Sequence, residues 1–410
     1  MSLTSVDQPA TVILNMHYSG LAVARDLGQE GCRIIGLSSN PRFFGNYTRY
    51  ADYRAYPDTE QEPDACVAFL CDLANELGHK PLLLATRDHD VRMILDHRNR
   101  LEEYFVLPYP DSAVVERIMD KAVLNAAAEA AGIYCPTTFE IRNVQDLDAI
   151  QTDVPFPAII KPAHAADWRR DGIRDVVEKQ KAIKVSNFDE LRDLYERIEP
   201  FTGHAVIQEL IEGPETDLVI FGSYRDEETG EIAAFTARKM LQYPFQAGTG
   251  VAVRAEPIPD IVEISKDLLG RLGYAGISEI EYKYDSRSGQ YALIEINTRH
   301  WDQHGLGTKV GVNLTRTLYR SLGSGTVEVP QQRSRPVTWL AEDGFLLSIL
   351  SKLRTHGPSW TIYWRIITGR CTGAVFSVRD PLPVLAQIYW GVAGIVERVF
   401  GALARRLGRQ

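Results

Sequence analysis

Residues 291–297 read YALIEIN, an apolar strand pattern that carries a carboxylate and a carboxamide. Side chains of a strand point alternately to its two faces, so Glu295 and Asn297 share a face. Residues 276–284, GISEIEYKY, form a second strand pattern, and the turn signal Asp285-Ser-Arg-Ser-Gly289 separates the two. The pair therefore predicts a β-hairpin.

The polar face of this hairpin predicts a cation site. Glu279 and Glu281 share one face of the first strand, and facing positions across an antiparallel pair lie about 5 Å apart. Clustered carboxylates repel each other unless a cation lies between them, and oxygen ligands suit Mg²⁺. We expect Glu295 and Asn297 to hold this metal. The alternative, solvated carboxylates on an exposed sheet face, fits poorly beside the flanking isoleucines.

Composition limits the class of protein. The chain has 410 residues and 45% hydrophobic content, enough for a large core in two or three domains. Five cysteines without a Cys-x-x-Cys pattern indicate reduced thiols in a cytoplasmic protein, with a zinc–thiolate site as the alternative. No basic segment precedes the short apolar run at 11–14, so no signal peptide is expected.

Charge is distributed unevenly along the sequence. Of the net charge of −9, residues 331–410 contribute eleven Lys or Arg and four Asp or Glu, or +7, which leaves −16 for residues 1–330. Nucleic-acid binding favours basic surfaces, so the acidic body argues against a nucleic-acid partner.

The order of strand and helix patterns changes along the chain. Residues 9 to 115 alternate strand and helix, which predicts an α/β unit with a parallel sheet and ligand-binding loops after its strands. Residues 157 to 322 alternate less regularly and predict an α+β unit. No Gly-x-Gly-x-x-Gly follows the first strand, so the sequence lacks a dinucleotide fingerprint.

Two further segments have the composition of a ligand site. Lys161 ends an apolar strand, where an ammonium needs an anionic partner unless it emerges at a strand edge. Residues 206–215 form a strand that runs into a Gly-Pro turn, whose backbone could bind the edge of an adenine and whose Glu215 could bind ribose. The alternative for this segment is an ordinary strand and turn. The polar residues 162–181 predict a lid or a disordered loop.

These segments together resemble one superfamily. Lys121, Lys161, Gln208-Glu-Leu-Ile-Glu-Gly-Pro-Glu215, Glu281 and Glu295-Ile-Asn297 occur in the order and spacing of ATP-grasp enzymes. The resemblance runs from about residue 9 to 325 and is strongest to the carboxylate–amine ligases that include D-aspartate ligases. It implies a Rossmann-like pre-ATP-grasp domain at 1–118, a two-lobed ATP-grasp domain at 119–328 and a basic, mostly helical appendage at 329–410.

The resemblance implies a role for each matching position. It assigns Lys121 and Lys161 to the phosphates of ATP, and Glu281, Glu295 and Asn297 to Mg²⁺, or Mn²⁺ in its place. Adenine and ribose would contact the side chain of Gln208, the backbones of Glu209 and Ile211, and the carboxylate of Glu215. The 162–181 loop corresponds to the flap over the phosphates, although Ala163-His-Ala-Ala departs from the usual Gly/Ser-rich form.

Two arginines match positions near the reacting groups. Arg299 corresponds to an arginine that holds a carboxylate or phosphate, and Arg238 is placed to meet the γ-phosphate or the carboxylate. The implied activity is an ADP-forming ligase that joins a small-molecule or peptide carboxylate to an amine through an acyl phosphate. The alternatives are a kinase or carboxylation enzyme on the same fold, or a nucleotide-binding protein without activity.

Two segments outside these motifs are candidates for substrate contact. Arg87 and Asp88 follow a strand of the parallel sheet, with a helix N-cap at Asp88 as the alternative. His300-Trp-Asp-Gln-His304 suggests substrate contact through His300, zinc binding or a structural role. Zinc binding would need a helix, and this stretch follows a strand.

The last segment predicts an amphipathic helix. Leu385, Ile388, Val392, Val396, Val399 and Leu403 recur at helical spacing, and Arg398, Arg405, Arg406 and Arg409 gather at the far end. Such a helix suits an anionic membrane surface, which would place the enzyme at the inner face of the membrane. Its alternative is packing of the basic helix on the acidic body. Related ligases also suggest a homodimer.

Overall fold

A computed structural model describes residues 9–163, 168, 172–177, 180, 182–245, 248–324, 327–355 and 360–407. Within these residues the strands form three sheets. The predicted combination of an α/β unit, an α+β unit and a helical C-terminal segment is confirmed.

The first sheet is parallel throughout the described residues. Its strands, in spatial order, are β3 (Asp52–Ala55), β2 (Ile34–Ser38), β1 (Thr11–Leu14) and β4 (Leu82–Ala85). The surrounding helices are α1 (Tyr18–Gly28), α2 (Pro63–Leu77), α3 (Asp88–Asp96), α4 (Arg98–Leu101) and α5 (Ser112–Met119). Leu21, Ala24 and Leu27 of α1 are fully buried, as their helical spacing predicts.

The second sheet is small and antiparallel. In spatial order it contains β5 (Thr138–Ile141), β8 (Ala205–Glu209), β6 (Ala158–Pro162) and β7 (Ile183–Val185). Helix α6 (Lys121–Ala130) precedes it, and α7 (Val144–Ala149), α8 (Ile173–Val176) and α9 (Phe188–Ile198) accompany it. The Asn187 side chain accepts a hydrogen bond from the Glu190 N–H and thereby caps α9.

The third sheet contains the predicted hairpin. Its strands, in spatial order, are β13 (Gln290–Asn297), β12 (Gly276–Asp285), β9 (Leu218–Arg225), β10 (Ile232–Tyr243), β11 (Thr249–Ala255), β14 (Val337–Leu340) and β15 (Cys371–Gly373). The hairpin pairs Glu279 with Asn297 and Glu281 with Glu295, and a bulge follows Glu281. The predicted hairpin is thus confirmed, and its register places the polar residues opposite one another.

The remaining helices pack around the third sheet or follow it. They are α10 (Val262–Leu272), α11 (Gly305–Lys309), α12 (Leu314–Ser324), α13 (Glu342–Thr355), α14 (Trp360–Ile367) and α15 (Leu382–Leu407). Residues after 329 also supply β14 and β15, and β14 pairs with β11 of the preceding segment. The division of the chain into domains at 118 and 328 stays a prediction.

Candidate active site

Four polar side chains of the hairpin form the centre of the site. The Asn297 side chain donates a hydrogen bond from Nδ2 to Glu279 Oε2 at 2.9 Å and another to Glu295 Oε1 at 3.3 Å. Glu279 and Glu281 are buried, whereas Glu295 and Asn297 are partly exposed. The hairpin therefore concentrates three carboxylates and a carboxamide on one face, as the alternation of the two strands predicts.

A lysine that the sequence analysis did not single out completes this cluster. Lys239 of β10 donates to both carboxylate oxygens of Glu281, at 2.6 and 2.7 Å, and both side chains are almost fully buried. Its neighbour Arg238 points to the opposite face, since side chains alternate along a strand. There the Arg238 Nε lies 2.6 Å from Glu256 Oε1.

The structure directs the Arg238 side chain away from the polar face of the hairpin and the Lys239 side chain towards it, and the role predicted for Arg238 stays a prediction. The pair Arg238-Lys239 was visible in the sequence, but an exact strand register was needed to tell which of the two faces the hairpin.

The charges of the cluster are strongly coupled. Burial and the neighbouring Glu281 raise the pKa of Glu279 well above its usual value. Burial also raises the pKa of Glu281, although Lys239 opposes the effect. Burial acts in the same direction on Glu295, but Lys121, Lys239, Lys161 and Arg299 outweigh it and lower the pKa of Glu295 to about 2. Glu295 therefore remains ionised at neutral pH, whereas burial shifts Glu279 towards its protonated form.

The donor set fits a hard divalent cation. The buried Oε1 of Glu279 has no hydrogen-bond partner within the described residues, and the cluster offers carboxylate and carboxamide oxygens only. In this arrangement, no three described His, Cys, Asp or Glu side chains are already positioned around a common metal position. Glu281 would have to share its carboxylate between Lys239 and the ion.

The two predicted phosphate lysines lie next to this cluster. Lys121, the first residue of α6, places its Nζ 3.8 Å from Glu295 Oε2. Lys161 of β6 donates to Gln208 Oε1 of β8 at 2.6 Å. Burial, reinforced by the positive charge of Lys121, lowers the pKa of Lys161 well below its usual value. Helix α6 and strand β6 thus each bring one lysine side chain to the edge of the carboxylate cluster.

The predicted adenine segment lies at the end of β8. Gln208 is buried and donates from Nε2 to Thr138 Oγ1 at 3.0 Å. The Glu209 N–H donates to Thr137 O, so the backbone group of Glu209 that faces a ligand is its carbonyl. Ile211, which follows, is buried. The Glu209 side chain pairs with Arg287 at 2.6 Å, and this contact ties the second sheet to the hairpin turn.

The predicted ribose residue has partners from two elements. Glu215 Oε1 accepts from the Gln242 N–H at 2.9 Å, and Glu215 Oε2 forms an ion pair with Lys352 of α13. Both side chains of the pair are 5% exposed. The ammonium of Lys352 also lies 4.8 Å from the centre of the Phe245 ring. Sequence reasoning missed Lys352, because nothing in its local pattern links it to a residue 137 positions earlier.

All three candidate substrate residues have partners inside the protein. Arg87 forms a two-pronged pair with Asp90 at 2.9 Å for both contacts. His300 is 2% exposed and its Nε2 lies 3.1 Å from Thr315 Oγ1. Burial lowers the pKa of His300 well below its usual value. The burial of His300 and its contact with Thr315 favour the structural alternative, and the substrate contact through His300 stays a prediction.

Asp88 differs from Arg87 and His300 because its partner belongs to the end of the hairpin. It begins α3, yet it makes no capping hydrogen bond and instead binds the guanidinium of Arg299 at 2.6 and 3.1 Å. The same guanidinium donates from Nη2 to Asn297 Oδ1 at 3.2 Å. Arg299 therefore connects the first sheet to the polar face of the hairpin.

Most of the predicted flap falls outside the structural description. Residues 164–167, 169–171, 178, 179 and 181 lie outside the described residues. The described part includes Trp168, which is buried, and the short helix α8. The predicted departure of residues 163–166 from the usual flap therefore stays a prediction.

This arrangement, with Lys121 on α6 and Lys161 on β6 beside the acidic hairpin of the third sheet, resembles the ATP-grasp fold. No family model matches the chain. The model is similar to the solved ADP complex of N5-carboxyaminoimidazole ribonucleotide synthetase, with a TM-score of 0.62, 14% identity and 81% coverage of both chains. It is also similar to an L-amino acid ligase from Bacillus licheniformis, with a TM-score of 0.59, 14% identity and coverage of 80% and 78%.

Several proteins of similar sequence are named as ligases. The chain is 24% identical over 280 residues to a D-aspartate ligase of Enterococcus faecium, covering 66% of each protein. It is 23% identical over 205 residues to a D-alanine–D-alanine ligase of Pseudomonas fluorescens, covering 47% of this chain and 57% of the relative.

A carbamoyl phosphate synthase large-chain section of Methanopyrus kandleri is 22% identical over 302 residues, covering 71% of this chain and 50% of the relative. The chain thus spans about half to two-thirds of these relatives. The comparisons confirm the ATP-grasp fold and the resemblance to carboxylate–amine ligases.

Proposed function

We propose that the protein is an ADP-forming, ATP-dependent ligase that joins a carboxylate to an amine. The fold supports an ATP-grasp enzyme, and the curated relatives include D-aspartate and D-alanine–D-alanine ligases. The acid and the amine are small molecules or peptides, and the chemistry below requires only that one carries a carboxylate and the other a free amino group.

One observation carries the proposal: the lysine pair and the acidic hairpin face the same space. Lys121 Nζ lies 3.8 Å from Glu295 Oε2, with Lys161 beside it and Glu279 behind. A polyphosphate next to the lysines raises the pKa of Lys161, and a divalent cation next to the hairpin lowers the pKa of Glu279. A metal–nucleotide complex stabilises both charged forms at once, which neither an anion nor a cation does alone.

The carboxylate must be activated before an amine can attack it. A carboxylate oxygen attacks the γ-phosphorus of ATP, the bond from that phosphorus to the β–γ bridging oxygen breaks, and ADP leaves. The amine nitrogen then attacks the acyl carbon, the C–O bond to phosphate breaks, and phosphate leaves as the nitrogen loses a proton. No protein nucleophile is needed, so the protein contributes positioning and charge neutralisation.

The side chains divide this work between them. Lys121 and Lys161 donate to the phosphates, and Arg299 offers a forked guanidinium to a carboxylate or to the transferring phosphoryl group. Lys239 keeps Glu281 ionised, because it donates to both of its oxygens. A carboxylate substrate that approaches Arg299 competes with Asp88 for the same guanidinium.

The ligands of Mg²⁺, or of Mn²⁺ in its place, would be Glu281, Glu295 and Asn297. Glu279, on the first strand of the hairpin, would help to position them. Such an ion neutralises charge on the transferred phosphate. Adenine would contact Gln208 and the backbone of Glu209 and Ile211, while Glu215 would accept from the ribose hydroxyls.

The test is a library of acids and amines, with ADP release and mass spectrometry as the two readouts. A ligase releases phosphate only when acid and amine are both present, and the product mass equals acid plus amine minus water. Phosphate release with bicarbonate in place of the amine would indicate carboxylation, and a phosphorylated product would indicate a kinase. Binding of ATP without turnover in any combination would contradict the ligase proposal.

Labelling tests the intermediate. When the carboxylate substrate carries ¹⁸O in both oxygens, one label is transferred to the released phosphate, since one oxygen leaves with it. Released phosphate without label would exclude an acyl phosphate.

The setting of the reaction is also proposed. The five cysteines all lie within the described residues and form no disulfide with one another, and four of them are buried, which supports a cytoplasmic enzyme. A homodimer is proposed by analogy, because one similar structure is described as a dimer of a biotin carboxylase domain. Cell fractionation and sedimentation velocity test these two statements.

A further inference from the structure

Exposed apolar side chains concentrate in the C-terminal segment. Among the described residues, sixteen of the twenty-one large hydrophobic side chains that are exposed lie between 346 and 400. A soluble surface normally has such residues scattered singly, so a concentration of this kind marks an interaction surface.

Helix α15 contacts the body of the protein with one side only. Ala386 is buried, Trp390 Nε1 donates to Tyr47 Oη at 3.1 Å, and Glu397 pairs with Arg42 at 3.0 Å. These three residues lie within about 40° of one another around the helix, at 100° per residue. The docked side of α15 is therefore partly polar.

The opposite side of α15 is apolar and faces outward. Leu385, Ile388, Val392 and Val396 are 57%, 59%, 56% and 46% exposed. They form a continuous stripe at i, i+3, i+7 and i+11, which we name the α15 stripe. These are the residues that the sequence predicts as the apolar face. Packing on the body would bury this stripe, whereas in the structure it points away from the body into solvent.

The two helices that precede α15 in the sequence also expose large apolar side chains. Ser348 and Lys352 of α13 are buried, while Leu346, Leu350 and Leu353 of the same helix are exposed. In α14, Trp360 and Trp364 are exposed at 70% and 69%. Exposed tryptophans are typical of the surfaces with which proteins lie at a membrane interface.

The charges that this segment exposes favour binding to an anionic surface. Its four acidic residues are occupied within the protein: Glu342 accepts from the Val375 and Phe376 N–H groups, Asp343 from Tyr18, Asp380 from Arg25, and Glu397 from Arg42. In contrast, Arg365, Arg370, Arg379 and Arg398 are exposed. The side chains of Arg405, Arg406 and Arg409 lie outside the described residues.

Within the described part of the chain, no helix is long and apolar enough to span a bilayer.

We propose that the α15 stripe docks the protein flat on the surface of an anionic lipid bilayer. The helix is fixed to the body by one side, so the stripe on its opposite side can enter the headgroup region while the axis stays parallel to the membrane. The exposed arginines then meet lipid phosphates, which contribute through charge. This inference is independent of the proposed ligase activity.

The test is co-sedimentation of the full-length protein with vesicles at low salt. One set of vesicles contains phosphatidylglycerol and phosphatidylcholine, and the other contains phosphatidylcholine alone. We expect binding to the anionic set only, with a loss of affinity as salt increases. The double variant Ile388→Glu/Val392→Glu should lower this affinity roughly tenfold or more. Leu322→Glu/Val329→Glu, at two exposed apolar positions outside α13, α14 and α15, adds the same charge and is the matched control.

Three outcomes would overturn the proposal: no binding of the unmodified protein to anionic vesicles, equal binding to both vesicle sets, or equal binding by the double variant. Circular dichroism and thermal melting confirm that the variants fold, which the exposure of both replaced residues leads us to expect. Sedimentation velocity without lipid tests whether the α15 stripe instead contacts a second copy of the chain. A dimer that the double variant dissociates would assign the stripe to a second copy of the chain and reject the membrane.

Discussion

Arg299 and Asp88 form a two-pronged ion pair across 211 positions of sequence, with Nε and Nη2 of the arginine on the two carboxylate oxygens. The arginine side chain is 17% exposed and the aspartate side chain is 59% exposed. The pair joins the first residue of α3, which follows β4, to a residue two positions beyond the end of β13. It places a guanidinium where an acid substrate and a phosphoryl group would meet.

Arg299→Lys should keep the charge but lose the forked geometry. We expect kcat to fall by about a hundredfold, because an ammonium cannot replace a bidentate contact in a transition state. Steady-state kinetics with the identified substrates measure this. Arg192→Lys, which alters an exposed ion pair with Asp148, is the matched control. Similar kcat values for both variants would remove Arg299 from the reaction.

Glu295→Ala should abolish turnover while leaving the fold intact. The carboxylate is partly exposed and lies between Lys121 and Asn297, so its loss removes metal and phosphate contacts without opening the core. The measurements are ADP release across a Mg²⁺ titration and a thermal melt. Glu263→Ala, at an exposed site on α10, should retain full activity. Undiminished turnover in the Glu295 variant would contradict the assignment of Glu295 as a metal ligand.

Lys352→Met should weaken nucleotide binding through Glu215. Loss of a charge-assisted hydrogen bond of about 1.5 kcal/mol predicts a rise of about tenfold in the KM for ATP, with a smaller effect on kcat. The sharper measurement uses 2′,3′-dideoxy-ATP, which lacks both ribose hydroxyls. If Lys352 positions Glu215 for ribose, the preference for ATP over this analogue shrinks in the variant.

The controls for this prediction separate positioning from folding. Lys352→Arg should restore part of the preference for ATP, since it keeps a cation beside Glu215. Glu215→Gln/Lys352→Met removes both charges. This double variant shows whether an effect of Lys352→Met comes from leaving a buried carboxylate unpaired. An unchanged preference in Lys352→Met, in a variant that melts normally, would leave Lys352 with a structural role only.

Asp26→Asn should stabilise the protein at alkaline pH. Burial raises the pKa of Asp26 to about 7, from 3.8, despite its hydrogen bonds from Thr308. Between these two values the folded state binds more protons than the unfolded state, so Asp26 lowers stability as pH rises through this window. The shift corresponds to a penalty of about 2–4 kcal/mol above pH 7.

Asparagine removes this penalty and retains an acceptor for Thr308. The measurement is the difference in Tm between variant and unmodified protein, at pH 4 and at pH 8. We expect a clear gain at pH 8 that is much smaller at pH 4. Asp267→Asn, at an exposed position on α10, is the control. Equal shifts at the two pH values would contradict the prediction.

The sequence predicts the hairpin and most of the parallel sheet because their signals are local. The alternation of YALIEIN and the spacing of Leu21, Ala24 and Leu27 depend only on neighbouring residues. The same analysis missed β3, whose residues Asp52–Ala55 include two charged side chains and are mostly not buried. An edge strand lacks the apolar pattern from which strands are recognised.

The parts of the site that sequence reasoning missed depend on contacts between distant segments. Lys239 and Arg238 are indistinguishable until the register of β10 is known, and Lys352 meets Glu215 only because α13 packs back against β10. His300 resembled a substrate ligand by type, but the packing of α12 buries it against Thr315. Residue type and spacing were enough to select Lys121, Lys161 and the hairpin carboxylates as candidates, whereas tertiary packing decided their partners.

The pairing of β14 with β11 has a consequence for any shortened form of the protein. A chain that ended near residue 330 would lose Trp339, which is part of the core, and would leave the seven residues of β11 with one open edge. Open backbone N–H and C=O groups along an apolar strand are a template for pairing with a second molecule. Shortening at this position should therefore produce aggregates, and a failed vesicle experiment with such a fragment would report misassembly and say nothing of lipid affinity.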